Sequence, residues 1–238
     1  MRYVEKKGCL EWSQFCSKFE NRLKSKTWRN FTKITVRENG EKVNVATHAK
    51  AILRQQIWEE QMGLCIYCTQ LIPETAISDK SHLEHVQPVS RFPKRRFDYL
   101  NIVVSCNGVN CSTEDVEADK EYCGHFKDDV CKSELVYNAA LFVDPTLNEE
   151  IESFFEYNIE GEINTNRGFF GDLEESIDYM ITCLGLDKDD LIEYRKETYN
   201  SMVEIEMIEG EEMVEDMLKD ESHPLLSFHP MLKALFAY

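Results

Sequence analysis

Gly63-Leu64-Cys65-Ile66-Tyr67-Cys68 sets two thiols three positions apart. At that spacing both sulfurs of one tight turn reach a single tetrahedral ion at ~2.3 Å. Downstream come Cys106, Cys111 and Cys123, and two thiolates from that set would complete an all-cysteine site. In a module of about 65 residues with little apolar core, such an ion supplies on the order of 10–16 kcal/mol of folding free energy. Taken singly, each thiol reads as a buried cysteine without a ligand. A redox C-x-x-C fits less well, because no thioredoxin-like βαβ pattern surrounds it. Between the two cysteine sets lies Ser81-His82-Leu83-Glu84-His85-Val86-Gln87-Pro88-Val89-Ser90. An acid followed by a histidine, flanked by apolar residues, is how an edge strand presents a ligand and a base to one metal site. Asn101 follows within Tyr99-Leu100-Asn101-Ile102-Val103-Val104, and Cys123-Gly124-His125-Phe126-Lys127 closes the stretch.

The 238 residues suffice for one sizeable core, or for a small module with helical flanks. Hydrophobic content of 42% and charged content of 30% exclude a wholly disordered or fibrous chain. No apolar run approaches the ~20 residues of a membrane span, and Met1–Gly8 shows no apolar signal core. The expectation is a cytoplasmic protein with no membrane association. Nine cysteines, an odd number without a secretion signal, then point to metal rather than disulfides. Cys9, Cys16, Cys131 and Cys183 are scattered, and the other five crowd into the middle.

Charge is distributed unevenly. Residues 1–60 carry 13 Lys+Arg against 7 Asp+Glu, residues 61–127 carry 7 against 9, and residues 128–238 carry 7 against 28. A net charge of −17 argues against a free-standing nucleic-acid binder, whose footprint is basic. Because the acid is confined to the C-terminal half, either the basic front half touches phosphate or a partner does most of the gripping.

Along the chain, 1–45 mixes aromatic and basic residues (Trp12, Phe15, Phe19, Trp28, Phe31) without a sharp motif. Phe31–Val36 alternates as a strand does, with a turn at Glu38-Asn39-Gly40-Glu41. Ala49, Ile52, Leu53 and Ile57 recur at helical spacing over 46–62, with Gly63 as the residue just past the helix end. Phe154–Asn158 and Glu162-Ile163-Asn164 read as a hairpin turning at Ile159-Glu160-Gly161. Leu173, Ile177, Met180, Ile181 and Leu184 form an amphipathic helix closed by Gly185. A second helix starts near 188–190 and runs towards Gly210. The apolar end, from His223 to Phe236, suits either core or a docking patch, and the acidic 203–221 stretch reads as a solvated helix face.

Residues 63–127 resemble the HNH endonucleases. Their ββα-metal motif runs C-x-x-C, then D/E-H-x-x-P, then N-[LI]-x-x-x-C, then a cysteine close to a His or Asn and a Lys. Gly63–Cys68 and Leu83–Ser90 are similar to the retron-associated and Septu-type HNH nucleases of bacterial anti-phage defence. So are Phe155–Ile163 and Leu184-Gly185-Leu186 followed by Leu191 and Arg195. The resemblance covers roughly 60–200. It implies an α+β fold: a central zinc-stabilised ββα-metal module over 46–130, between an N-terminal segment (1–45) and an acidic, mainly helical region (131–238) that docks a partner.

The resemblance further implies a metal-dependent endonuclease on DNA, leaving 5′-phosphate and 3′-hydroxyl ends. Cys65, Cys68, Cys106 and Cys123 match the structural Zn²⁺ ligands. Glu84 and His125 match the holders of a hydrolytic Mg²⁺ or Mn²⁺ ion, His85 the general base, and Asn101 the loop-tying residue that orients it. The three site side chains, Glu84, His85 and His125, are expected to converge on that ion. Lys127 and the basic cluster Arg91, Lys94, Arg95 and Arg96 are expected against phosphate. The stretch from Asn107 to Tyr122 is an insertion relative to the compact motif. Cys111 therefore competes with Cys123 as the fourth zinc ligand; Cys123, beside His125, is preferred. Asn107 and Asn110 stand as fallback ligands for the second ion. His48, His82, His223 and His229 read as surface or packing residues. An ABC/SMC-like ATPase is the implied partner, and a retron reverse transcriptase with its RNA is another; the chain itself has no Walker A pattern. RNA as substrate, and a non-catalytic zinc-stabilised binding module, remain as alternatives.

Overall fold

The apolar periodicity and the turn residues determine where each element begins and stops. In the computed structural model, residues 1–108, 122–130, 137–168 and 173–236 are described. The chain opens with α1 (Leu10–Lys18), α2 (Glu20–Leu23), a short hairpin of β1 (Val36–Glu38) and β2 (Glu41–Val43), and α3 (Val45–Glu60). It continues through α4 (Ile77–Lys80), β3 (Ser81–His85), β4 (Ile102–Cys106) and α5 (Cys123–Val130). After these come β5 (Phe155–Tyr157), β6 (Ile163–Thr165), α6 (Glu174–Leu184), α7 (Asp189–Glu209), α8 (Glu211–Lys219) and α9 (His229–Leu235). The fold is α+β, with three separate two-stranded antiparallel sheets among the described residues. Among the described residues no helix is long and apolar enough to cross a membrane.

Phe31–Val36 departs from the expected strand. Phe31–Lys33 is a 3₁₀ turn and the strand starts only at Val36. Phe31 is pulled inward by Trp12, Trp28 and Phe97 (ring centroids 5.8, 4.8 and 5.4 Å), and that aromatic burial overrides the local alternation.

The end of α3 differs in one residue from expectation. Gly63 N–H donates to the Trp58 carbonyl and Met62 N–H to that of Glu59, a Schellman closure in which Met62 takes the left-handed position. Gly63 is required for another reason. A Cβ there would stand 2.7 Å from Pro224 Cβ, so the helix exit and the C-terminal segment touch backbone to ring.

The C-terminal region does not stand apart from the middle of the chain. Leu225 N–H donates to the Met62 carbonyl, Phe228 N–H to that of Thr69, and Ser227 Oγ accepts from Leu71 N–H. The apolar end is thus core laid over the Cys65–Cys68 turn, and the buried hydrophobic residues form one cluster from Met1 to Leu232.

The expected hairpin and amphipathic helix are present as β5–β6 and α6, with Gly185 in the left-handed conformation at the end of α6. Arg195 of α7, almost fully buried, donates from Nη1 to the carbonyls of Gly161 (3.2 Å) and Leu186 (2.9 Å), joining hairpin turn and inter-helix turn. Gly161 has φ +83, and a Cβ there would lie 2.1 Å from the Ile192 carbonyl oxygen. Gly161→Ala is expected to destabilise by roughly 2–4 kcal/mol, through left-handed strain plus displacement of α7. In a chain of this size that lowers the thermal midpoint by roughly 5–15 °C, read by circular dichroism.

Candidate metal centre and adjoining polar site

The turn after α3 is built to hold sulfur. Cys65 N–H donates to the Gln70 carbonyl, Thr69 N–H donates back to that of Cys65, and Thr69 adopts φ +63. Ile66 N–H donates to the Val104 carbonyl, and the Gln61 side chain clasps Val104 at both its N–H and its carbonyl, so the turn is fastened to β4. Cys106 ends β4, and Cys123 opens α5. The sulfurs of Cys65, Cys68, Cys106 and Cys123 all lie within 4.8 Å of one another, and all four residues are buried. The Cys68 and Cys106 sulfurs are 3.7 Å apart. Two thiolates bonded at ~2.3 Å to one tetrahedral ion stand about 3.8 Å apart, so the spacing fits.

Four soft thiolates select zinc or a similar ion. Burial opposes ionisation of Cys65, yet its three thiol neighbours donate to it and carry it well below the ordinary thiol value. Burial and the thiols of Cys106, Cys65 and Cys68 push Cys123 up. A shared divalent charge would hold all four as thiolates. Cys123 belongs to this cluster; Cys111 and Asn110 lie outside the described residues.

Beside the cluster, β3 and β4 pair antiparallel, with Glu84 opposite Val103 and His82 opposite Ser105. Residues two apart on a strand share a face. His82 and Glu84 therefore face α5, together with Ser105, whose Oγ accepts from Gly124 N–H at 3.1 Å. His85 leaves from the opposite face. Glu84 is buried, with Oε1 2.6 Å from Lys127 Nζ and Oε2 3.5 Å from His82 Nε2. Burial alone would raise its pKa; Lys127 and His82 outweigh burial and hold the carboxyl at about 2. The His82 and His125 rings stack at 3.9 Å between centroids. Gly124 makes this approach possible, since a Cβ there would be 2.6 Å from His82 Nε2 and 3.0 Å from Glu84 Cδ.

The expected convergence of Glu84, His85 and His125 is therefore altered. The imidazole between Glu84 and His125 is His82, and the reading of His82 as a surface or packing residue is corrected. The period-two alternation of Ser81–His85 was the signal that could have found it. His85 Nε2 donates to the Arg96 carbonyl at 3.0 Å, and its ring meets Trp28 edge-on at 4.7 Å. Burial lowers the pKa of His85. With Nε2 protonated and donating, Nδ1 carries the lone pair.

Asn101 is fully buried and ties the loop after β3. Its Oδ1 accepts from Gln87 N–H at 2.8 Å, and Nδ2 donates to the carbonyls of Gln87 and Arg95 at 3.1 and 3.3 Å. This loop carries the Arg96 carbonyl that holds His85. Asn101→Ala strands these partners, and a loss of roughly 1–3 kcal/mol is expected in urea unfolding, with zinc content unchanged.

The basic residues divide. Arg91 and Lys94 are exposed, Arg91 also donating to the Tyr137 carbonyl at 3.3 Å. Arg95 is engaged with Asp98 and Gln87 at 2.8 Å each, and Arg96 donates to the carbonyls of Pro93, Leu23 and Lys24. Lys127 departs from its expected phosphate contact: it is fully buried, paired with Glu84 and donating to the His85 carbonyl at 2.9 Å. The N-terminal segment reaches His85 through Trp28, and Lys24 and Arg29 nearby in sequence are exposed.

Neither known protein families nor curated proteins yield a match to the chain.

Proposed function

We propose that the chain is a metal-dependent endonuclease that hydrolyses phosphodiester bonds of DNA, an HNH-type enzyme built on β3, β4 and α5. One observation carries the reading: a buried, ionised Glu84 shares a strand face with His82, against which His125 of α5 packs, one residue before an imidazole whose tautomer is set by a backbone carbonyl. A divalent ion at Glu84 would stabilise negative charge on the phosphate and on the leaving 3′ oxygen. In-line hydrolysis needs the attacking water and the leaving oxygen on opposite sides of phosphorus. Consecutive side chains leaving a strand end in opposite directions suit that division. His85 takes the water's proton at Nδ1, and burial keeps the ring neutral and receptive at neutral pH. Exposed Arg91, Lys94, Lys24 and Arg29 supply phosphate contacts.

The test is incubation of the purified chain with Mg²⁺ or Mn²⁺ and labelled DNA or, separately, transfer RNA, with a chelator control. Metal-dependent cuts in DNA bearing 5′-phosphates are the expected result. Cuts in RNA alone would move the substrate class, and an inert chain with every metal, alone or with its partner, would overturn the reading.

Partner docking of an ABC/SMC-like ATPase, with any retron reverse transcriptase and RNA joining through it, is proposed for the acidic end. Met207, Ile208 and Met213 are exposed at the junction of α7 and α8 among acidic residues. An apolar centre with an acidic rim fits a basic partner surface. Because Leu225, Phe228, Met231 and Leu232 are core, the informative change is at the surface. Met207→Glu with Ile208→Glu is expected to weaken co-purification with the ATPase at least tenfold while leaving thermal stability unchanged. Undiminished association would place docking elsewhere.

A further inference from the structure

We infer that His82 is a ligand of the divalent ion at Glu84, making this a mixed carboxylate–imidazole site that takes Mn²⁺ or a similar transition ion in preference to Mg²⁺. The inference rests on the reading of Glu84 as an ion holder and adds to it a residue that the HNH-like pattern does not assign, with a choice between the two ions that pattern allows.

The tautomer of His82 is determined by its neighbours. Asn107 Nδ2 donates to the Asp79 carbonyl at 2.9 Å, which turns Asn107 Oδ1 towards His82 Nδ1 at 2.9 Å. An amide oxygen only accepts, so Nδ1 carries a proton and donates. Nε2 then points at the Glu84 carboxylate. It is buried and has no hydrogen-bond partner among the described residues; Glu84 Oε2 stands 3.5 Å away, a charge contact longer than a good hydrogen bond. Without an ion, a proton on Nε2 offsets the carboxylate; a cation between the two takes that proton's place, since a ligating imidazole must be neutral.

The spacing fits such a cation. Two donors ~2.1 Å from one ion at a tetrahedral angle are about 3.4 Å apart. The outer contacts are those of a metal site as well. A ligating imidazole usually donates its other ring N–H to a fixed acceptor, and a ligating carboxylate is itself held by a further partner. Asn107 serves His82 in this way, and Lys127 holds the other Glu84 oxygen, Oε1, at 2.6 Å. The His125 ring buttresses His82, and Gly124 leaves the room that any side chain would fill. Imidazole donors favour later transition ions, whereas Mg²⁺ prefers an all-oxygen shell with several waters.

The test titrates the full-length, zinc-loaded chain with Mn²⁺ and reads free Mn²⁺ by electron paramagnetic resonance, with competition by Mg²⁺. One Mn²⁺ per chain is expected, bound at least tenfold more tightly than Mg²⁺. His82→Ala should weaken Mn²⁺ at least tenfold, Asn107→Ala should weaken it severalfold, and exposed His48→Ala should leave it unchanged. Zinc stoichiometry and circular dichroism verify folding; should His82→Ala misfold, Asn107→Ala decides. Native Mn²⁺ affinity in the folded His82→Ala chain, or no uptake by the unmodified chain, overturns the inference. Cleavage intact in a His82→Ala chain of native Mn²⁺ affinity sinks the inference alone and spares the nuclease reading. Mn²⁺ uptake that depends on His82 without hydrolysis of DNA or RNA sinks the nuclease reading and spares the inference.

Discussion

Cys65→Ser is expected to yield a chain without zinc and with little soluble protein, the largest stability effect in the molecule. The four thiols come from three separate pieces of chain: the turn after α3, the end of β4 and the start of α5. An ion bound by the four thiolates would link these pieces directly. Structural zinc contributes on the order of 10–16 kcal/mol, against a net stability of about 5–15 kcal/mol for a typical domain. Removing one ligand therefore threatens the whole balance. The consequences spread, because the C-terminal residues Leu225 to Phe228 pack on the same turn, and Cys106 N–H points at the Cys65 sulfur at 3.3 Å. Cys16→Ser is the control. Its half-buried thiol, pushed up to about 12 by burial, belongs to no cluster among the described residues, so zinc and solubility should be retained. Elemental analysis and gel filtration of both variants give the answer. A Cys65→Ser chain that stays monodisperse with native zinc would remove the cluster's structural role.

What could be read from the sequence, and what could not, follows the range of the interaction. The C-x-x-C turn is local, and its geometry is encoded in four residues. The helix over 174–184 ends at Gly185 because an amphipathic stripe and a left-handed stop are also local signals. The α3 exit was misplaced by one residue, since Met62 takes a conformation that glycine usually takes. The failures are non-local. Phe31 left its strand for an aromatic cluster contributed by Trp12, Trp28 and Phe97, residues up to 66 positions away. Lys127 turned inward because Glu84, 43 positions earlier, offers a buried negative charge; no spacing rule links them. His82 was a different failure. Its place beside Glu84 follows from the two-residue period of a strand, and the dipeptide Glu84-His85 drew the reading to adjacent residues that face opposite ways. That the apolar end is core, one of the two readings open to it, is likewise non-local: its contacts with 62–71 join residues more than 150 positions apart.

His85→Ala is expected to lower DNA cleavage by roughly 10²–10⁴-fold while zinc content and fold persist. The separation of the two effects follows from where the ring lies. Among the described residues the His85 ring makes one hydrogen bond, to the Arg96 carbonyl, and one edge-on aromatic contact, to Trp28. Its removal leaves the Asn101 staple, the sulfur cluster and the Lys127–Glu84 pair in place, since none of them uses the imidazole; Lys127 reaches only its backbone carbonyl. The stability loss should therefore be limited to a small cavity and one unmet carbonyl, about 1–3 kcal/mol. The chemical loss is of another order, because the ring supplies the only neutral, oriented proton acceptor on that face of β3 among the described residues. Trp28→Ala gives the graded counterpart. The base remains but its orientation loosens, so a smaller fall in turnover is expected, with substrate affinity nearly unchanged. Single-turnover cleavage with saturating metal separates the cases. Should the His85→Ala chain cut DNA at the native rate, the proton acceptor lies elsewhere and the division of labour between the two faces of β3 is wrong.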